Sequence, residues 1–220
     1  MDTATGIYTQ IANDILSGYV PHSLTSDGAG GFYTEGGFTL WAVNASGIAS
    51  DIAPCGAKMY GMDRSSDGTI YGYNYNDDNL GKVTTTGVWN PIGASSSFSG
   101  DPVGGRLAFM NGGLYGTISD AFGAFDLGTG FFGKIATDDI YQSMVLASDG
   151  TTLYGLSGNS LYTLDPTNGS YGSPLTITGL DEPVWTGASF AAVPEVTSSF
   201  TMLGLISSGL LLRRRGKVSL

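Results

Sequence analysis

The sequence predicts an all-β chain, a β-propeller-like array of about four four-stranded blades followed by one C-terminal hydrophobic helix. Three observations lead to this prediction. The 220 residues include 35 Gly and 8 Pro together with 11% aromatic residues, a composition that disfavours both a helical bundle and a disordered chain. Two turn motifs recur about every 40 residues. The turns are flanked by short apolar, aromatic-rich runs that are typical of strands.

The first turn motif is an Asp or Asn followed by a closing glycine, as in LYTLDPTNG at 161–169. The closing glycines are Gly6, Gly47, Gly87, Gly130 and Gly169, spaced 41, 40, 43 and 39 residues apart. A repeat of this length is the signature of a solenoid, a propeller or another repeat array.

The second turn motif consists of the pairs Asp27-Gly28, Asp67-Gly68, Asn111-Gly112 and Asp149-Gly150, spaced 40, 44 and 38 residues apart. These pairs supply the positive φ that tight hairpins need, and each precedes an aromatic strand. Each unit therefore contains four short strands, which is the number of strands in a propeller blade. A flat array of meanders and a β-solenoid are the alternatives. The units are 7–47, 48–87, 88–130 and 131–169, with a remainder at 170–193, and they resemble those of bacterial secreted propellers, a group that hosts many functions.

Charge divides the chain into a body, residues 1–193, and a tail, residues 194–220. The body has five basic and 18 acidic residues, whereas the tail has four basic residues and one acidic residue. A body this acidic repels nucleic acid, so no nucleic-acid partner is expected. Residues 196–212 form a 17-residue stretch without a charge. We predict a marginal membrane-spanning helix there, and a buried C-terminal helix is the alternative.

The tail begins with Val193, Pro194 and Glu195 and ends with a basic cluster that includes Arg213, Arg214 and Arg215. This arrangement resembles the PEP-CTERM sorting signal of Gram-negative bacteria, with Val196 in place of the second Pro of the family motif. The resemblance implies processing by a membrane-embedded exosortase and delivery to the cell surface or the extracellular polysaccharide matrix. The positive-inside rule keeps the arginine cluster cytoplasmic.

Met1 falls in the middle of a repeat unit, and the first residues show no basic, apolar signal peptide. We therefore expect a truncated or mis-started reading frame. The missing part would supply two strands and a signal peptide and complete a five-bladed ring.

No residue is predicted to be catalytic, cofactor-binding or metal-ligating. The single His22 and the single Cys55 cannot form a histidine metal cluster or a disulfide. His22 is interpreted as a surface or hydrogen-bonded residue and Cys55 as a small buried one. Glu35 and Asp51 are carboxylates outside the turn motifs, without partners that the sequence identifies.

Three other polar segments are interpreted as turns. Residues 63–68 follow the opening of a calcium-binding loop, but the twelfth position is Asn74 instead of a bidentate carboxylate. Residues 74–79 are interpreted as a solvated hairpin tip, and so is the pair Asp138 and Asp139. The recurring aromatics are expected to pack between blades, with a sugar-binding groove as the alternative for some of them: Trp41, Tyr71, Tyr115, Tyr154 and Tyr162.

The sequence thus predicts a secreted or cell-surface structural or adhesive protein with a sorting and membrane-anchoring tail. Its expected partners are an exosortase-type enzyme, the membrane through residues 196–212, and polysaccharide of the extracellular matrix. A propeller-type polysaccharide hydrolase or lyase is the first alternative, and a truncated fragment without function is the second.

Overall fold

The computed structural model describes residues 16, 18–93, 104–178, 185–191 and 201–206. Their regular structure consists of four four-stranded antiparallel sheets and one two-stranded sheet. The first sheet contains β1 (Ser23–Ser26), β2 (Phe32–Gly36), β3 (Thr39–Val43) and β4 (Ala49–Pro54). The second contains β5 (Met59–Arg64), β6 (Ile70–Asn74), β7 (Asn79–Val83) and β8 (Trp89–Ile92). The third contains β9 (Gly104–Met110), β10 (Gly113–Ile118), β11 (Ala121–Phe125) and β12 (Phe132–Thr137). The fourth contains β13 (Val145–Ser148), β14 (Leu153–Ser157), β15 (Ser160–Leu164) and β16 (Leu175–Thr176), and the fifth pairs β17 (Trp185–Ala191) with β18 (Thr201–Ile206).

The first strands of the five sheets form a closed ring. Strand β1 contacts β5, β5 contacts β9, β9 contacts β13, β13 contacts β17, and β17 returns to β1. Within each of the four-stranded sheets the strands follow one another outward in chain order. Meanders radiating from a ring of inner strands are the blades of a β-propeller, so the predicted fold is confirmed.

Side chains that pack between neighbouring blades form the core. Between the second and third blades, Tyr73 and Leu80 pack against Leu114 and Phe125. Between the third and fourth, Phe122 packs against Leu153 and its neighbours. The expectation of inter-blade aromatic packing holds for Tyr71, Tyr115, Tyr154 and Tyr162, which belong to these layers or pack against them.

The Asp and Asn motifs form the turns that the sequence predicts. In the β1–β2 hairpin, Asp27 Oδ1 accepts hydrogen bonds from Ala29 N and Gly31 N, at 2.7 and 2.8 Å. In the β15–β16 turn, Asp165 Oδ1 accepts from Thr167 N at 2.8 Å. The hydrogen bonds from the Thr167 side chain and backbone lower the pKa of the Asp165 carboxyl. Because these bonds form within a few residues, sequence alone specifies them.

The predicted repeat units are offset from the blades by one strand. Unit 48–87, for example, holds β4 of the first blade and β5, β6 and β7 of the second. The offset arises because the closing glycine lies in the turn before the outermost strand of each blade.

The predicted helix at 196–212 does not match the described residues of that segment. Thr201–Ile206 form strand β18, which pairs antiparallel with β17 through pairs such as Ala188 with Gly204. An inner strand without a second strand leaves a row of unpaired backbone groups, and β18 satisfies them. The rest of 196–212 lies outside the described residues. Within the part of the chain that the structure describes, no helix is long and apolar enough to cross a membrane.

Candidate functional site

The inner strands surround a narrow central channel, and a cavity of about 10 Å³ within it is lined by residues from all five strands. Arg106 hydrogen-bonds at the starts of β1 and β5, and Asp63 hydrogen-bonds near the ends of β1 and β9, so these three inner strands run in the same direction. We call the face at which they start the upper face and the opposite one the lower face. The hairpins with Asp-Gly or Asn-Gly turns lie on the lower face, since each follows an inner strand.

Arg106 occupies the upper end of the channel and ties three blades together. Its Nη1 donates to the carbonyl oxygens of His22 and Tyr60, both at 3.2 Å. Burial lowers the pKa of Arg106 to about 10, an effect that Tyr60 partly opposes. The guanidinium therefore remains positively charged at neutral pH.

Aromatic rings and a second cation surround this arginine. The Tyr60 ring lies 4.9 Å from the His22 ring and 4.5 Å from the Tyr75 ring, measured between centroids. Lys58 Nζ lies 5.2 Å from the Tyr60 centroid and 5.4 Å from that of Tyr75, a cation–π arrangement. The Arg106 guanidinium carbon lies 6.0 Å from the Tyr60 centroid.

A buried carboxylate completes this group. Glu35 has no exposed surface, and its Oε1 accepts from Phe38 N at 2.7 Å while its Oε2 accepts from Met59 N at 3.2 Å. His22 Nδ1 is buried, has no hydrogen-bond partner among the described residues, and lies 3.4 Å from Glu35 Oε2. We call the set of His22, Glu35, Lys58, Tyr60, Tyr75 and Arg106 the mouth cluster.

The hairpin at 74–79 was predicted to be a solvated tip, but part of it is buried and positions residues of the mouth cluster. Asn74 is buried, and its Oδ1 accepts from Lys58 N at 3.2 Å and from Asn76 N at 3.1 Å. Tyr75 N donates to Lys58 O at 2.8 Å. The side-chain amide of Asn74 donates to Asp77 Oδ2 at 2.8 Å, which closes the turn.

At the lower end of the channel, Asp63 links the same three blades. Its Oδ1 accepts from Thr25 Oγ1 at 3.2 Å and from Arg64 N at 2.8 Å, and its Oδ2 accepts from Phe109 N at 2.6 Å. Burial raises the pKa of Asp63 to about 6 in spite of these hydrogen bonds. Both carboxyl oxygens of Asp63 therefore accept hydrogen bonds that hold inner strands together. The rest of segment 63–68 forms the turn of the β5–β6 hairpin, as predicted.

The structure brings His22 and Glu35 together, although the sequence offered no partner for either. Cys55 is buried as expected, and its sulfur lies 3.2 Å from both Phe38 O and Ala57 O, which share its single thiol hydrogen. Asp51 is exposed on β4, and Asp138 accepts from Ile140 N as the cap of a short 3-10 turn. The sorting-motif residues 193–195 and the arginines 213–215 lie outside the described residues.

Arg106 and Lys58 are functional candidates that the sequence alone did not indicate. Arg106 had a usable signal, because it is a charged side chain at the start of a strand that is otherwise apolar. Lys58 had none beyond its position before the first strand of a blade.

No known family model matches the chain, and no curated protein sequence does. Solved structures share its fold. Virginiamycin B lyase from Staphylococcus aureus superposes with a TM-score of 0.50 at 17% identity, over 77% of this chain and 59% of the lyase. A gluconolactonase from Xanthomonas campestris superposes with a TM-score of 0.55 at 10% identity, over 78% of this chain and 66% of the gluconolactonase. A nidogen/laminin complex superposes with a TM-score of 0.54 at 15% identity, over 71% of this chain and 63% of the matched chain.

These likenesses define the class of the protein. The chain spans less than two thirds of the length of each of these three neighbours, and the identities are low enough that the fold alone is shared. The chain is a β-propeller protein with a ring of five inner strands and a mixed aromatic and cationic cluster at one end of the channel.

Proposed function

We propose that this protein is a secreted or cell-surface structural or adhesive protein of the exopolysaccharide matrix, and that the mouth cluster binds sugar residues that carry a carboxylate. The observation that carries the proposal is the position of Lys58 over the Tyr60 and Tyr75 rings beside the half-buried Arg106. Aromatic faces pack against the apolar faces of sugar rings, and the two cations attract the carboxylate.

The charge distribution agrees with a local site of this kind. The body has only five basic residues against 18 acidic ones, and two of the five belong to the mouth cluster. Long-range forces between the body and an acidic polysaccharide are repulsive. Binding would therefore depend on direct contact at the mouth cluster.

Calorimetric titration with a uronic acid disaccharide tests the proposal. Lys58→Ala should weaken binding about tenfold, since a partly desolvated charge–charge hydrogen bond contributes roughly 1.5–3 kcal/mol. Lys82→Ala is the matched control, because Lys82 also lies over a tyrosine, 5.4 Å from the Tyr71 centroid, but on the exposed side of β7. Equal losses in both variants, or no binding by the unaltered protein, would refute the proposal.

The sorting tail belongs to the same proposal. We infer that residues 193–195 and 213–215 direct the protein to the envelope through an exosortase-type enzyme. The test is fractionation of cells that express the chain with and without Arg213→Ala, Arg214→Ala and Arg215→Ala. The substitutions should abolish envelope localisation, and unchanged fractionation would count against a sorting signal.

A second candidate function is a propeller-type polysaccharide lyase or hydrolase. The specific observation in its favour is the His22–Glu35 pair, in which a carboxylate lies 3.4 Å from an imidazole nitrogen and could orient it as a proton acceptor. Release of reducing ends from a polysaccharide, lost in His22→Gln, would favour this candidate. Binding without any cleavage would favour the adhesive role.

A further inference from the structure

The turn between β2 and β3 exposes an aromatic side chain at a backbone position that suits such a residue poorly. Phe38 has φ of +64° and is 45% exposed. The corresponding turns of the other blades have Asp78, Ser119 and Gly158 at positive φ, all small residues. A bulky residue is unfavourable in this region, so the position is strained.

Two neighbouring side chains hold Phe38 in this conformation. Glu35 Oε1 accepts from Phe38 N at 2.7 Å. On the other side, Phe38 O accepts from Cys55 N at 2.8 Å and from the Cys55 thiol at 3.2 Å. Strain of this kind persists where the surroundings over-determine the conformation, and it is concentrated at functional positions.

Other aromatic residues lie around the same turn. The Tyr19 ring packs directly over Gly37, where an added Cβ would approach a Tyr19 ring carbon to 2.5 Å. Tyr19 is 53% exposed, and its centroid lies 6.1 Å from that of Trp41. Trp41 is fixed in turn, because its Nε1 donates to Gly36 O at 3.1 Å. We call Tyr19, Phe38 and Trp41 the aromatic platform.

The buried Glu35 connects the turn of the aromatic platform to the mouth cluster. The Glu35 carboxylate holds Phe38 through one oxygen and faces His22 through the other, at 3.4 Å. Both features lie on the upper face, since the β2–β3 turn and the start of β1 are neighbours in the register of the first blade. A linear ligand at the mouth can therefore extend over the first blade without leaving this face.

We propose that the aromatic platform is a second sugar-binding subsite, so that a polysaccharide chain runs from the mouth cluster across the first blade. This inference rests on the proposed function and specifies its ligand as an extended chain. Exposed aromatic rings beside polar groups suit pyranose rings, which have apolar faces and polar edges.

The test compares oligouronates of two, four and six residues, with calorimetry as the readout. The affinity of the unaltered protein should rise about tenfold between the disaccharide and the hexasaccharide, the gain expected from one or two additional aromatic contacts. Phe38→Gly should lose this rise and keep disaccharide binding, with an unchanged or higher melting temperature. Phe131→Ala is the matched control, since Phe131 is 65% exposed in a lower-face turn.

Each outcome separates the two proposals. Disaccharide binding with no dependence on length, or a length dependence that Phe38→Gly leaves unchanged, overturns the subsite and leaves the proposed function standing. Absence of binding to every oligouronate overturns both. Capture of the protein by lipid vesicles through Phe38 would assign the platform to a membrane and overturn the subsite.

Discussion

Arg106 and Asp63 hold the same three blades together from opposite ends of one channel. Arg106, on β9, donates to carbonyl oxygens that precede or begin β1 and β5. Asp63, on β5, accepts from groups on β1 and β9. A cation on the upper face and a carboxyl on the lower face thus hold the inner strands of three blades together. Replacing either side chain should change the stability of the protein.

Replacing Arg106 by Met should lower the free energy of unfolding by roughly 2–3 kcal/mol, because two carbonyl oxygens at the channel lose a charged donor. Arg64→Met is the control. Arg64 also donates to two carbonyl oxygens, at 2.9 and 3.2 Å, but in hairpins where water can replace it. Urea unfolding of both variants measures the difference, and a loss no larger for Arg106→Met than for Arg64→Met would contradict the bracing role.

Asp63 should make stability fall as pH rises from about 4 to about 6. In this window the folded protein retains the Asp63 proton, since burial raises its pKa from 3.8 to about 6, whereas the unfolded chain has lost it. Linkage sets the maximum effect at about 3 kcal/mol. Asp63→Asn should be less stable at every pH, because one acceptor is lost, and should lack this slope. Urea midpoints measured from pH 4 to pH 8 provide the test; parallel curves for the two proteins would show that the slope has another origin.

Gly123→Ala should destabilise the third blade by about 2 kcal/mol. An added Cβ would approach Gly133 O to 2.4 Å, and the neighbouring strand cannot move away without breaking its ladder. Gly133→Ala is the matched control on the facing strand, where the nearest atom would be 3.6 Å away. Its effect should lie within about 0.5 kcal/mol, or be slightly stabilising. Thermal unfolding distinguishes the two, and equal effects would argue against close packing at Gly123.

The Cys55 thiol should react slowly with a thiol reagent in the folded protein at pH 8. Burial raises its pKa, and the hydrogen bond to Ala57 only partly offsets this, while the charge of Glu35 raises the pKa further. Because the thiolate is the reactive species, both low access and the raised pKa slow the reaction. Colour development with a disulfide reagent should become rapid only after unfolding in urea. Prompt reaction of the folded protein would place Cys55 at the surface.

The turns illustrate what local sequence could predict. Asp27 and Asp165 bond to backbone groups two to four residues away, so residue type and spacing sufficed to identify them. Their period then indicated the blade. The mouth cluster could not be predicted in the same way, because Glu35 meets Met59 N, 24 residues away, and Arg106 meets His22 O, 84 residues away. Such pairs depend on how the blades are set side by side.

The segment at 201–206 is a case in which the local sequence indicated the wrong secondary structure. Its apolar composition predicted a helix, since nothing within it distinguishes a buried strand from a membrane span. The structure pairs it with β17, whose backbone groups would otherwise lack partners. Pairing with the preceding strand thus overrides the helix that the apolar composition suggests.

The sequence by itself determined the all-β class, the blade repeat and its turns, because these follow from hydrogen bonds and side-chain alternation within about 40 residues. Only the tertiary structure decided which polar residues share the channel and which aromatic residue is held exposed at a strained turn. The packing of neighbouring blades against one another, more than any local motif, places Arg106 beside Tyr60 and Glu35 beside Met59.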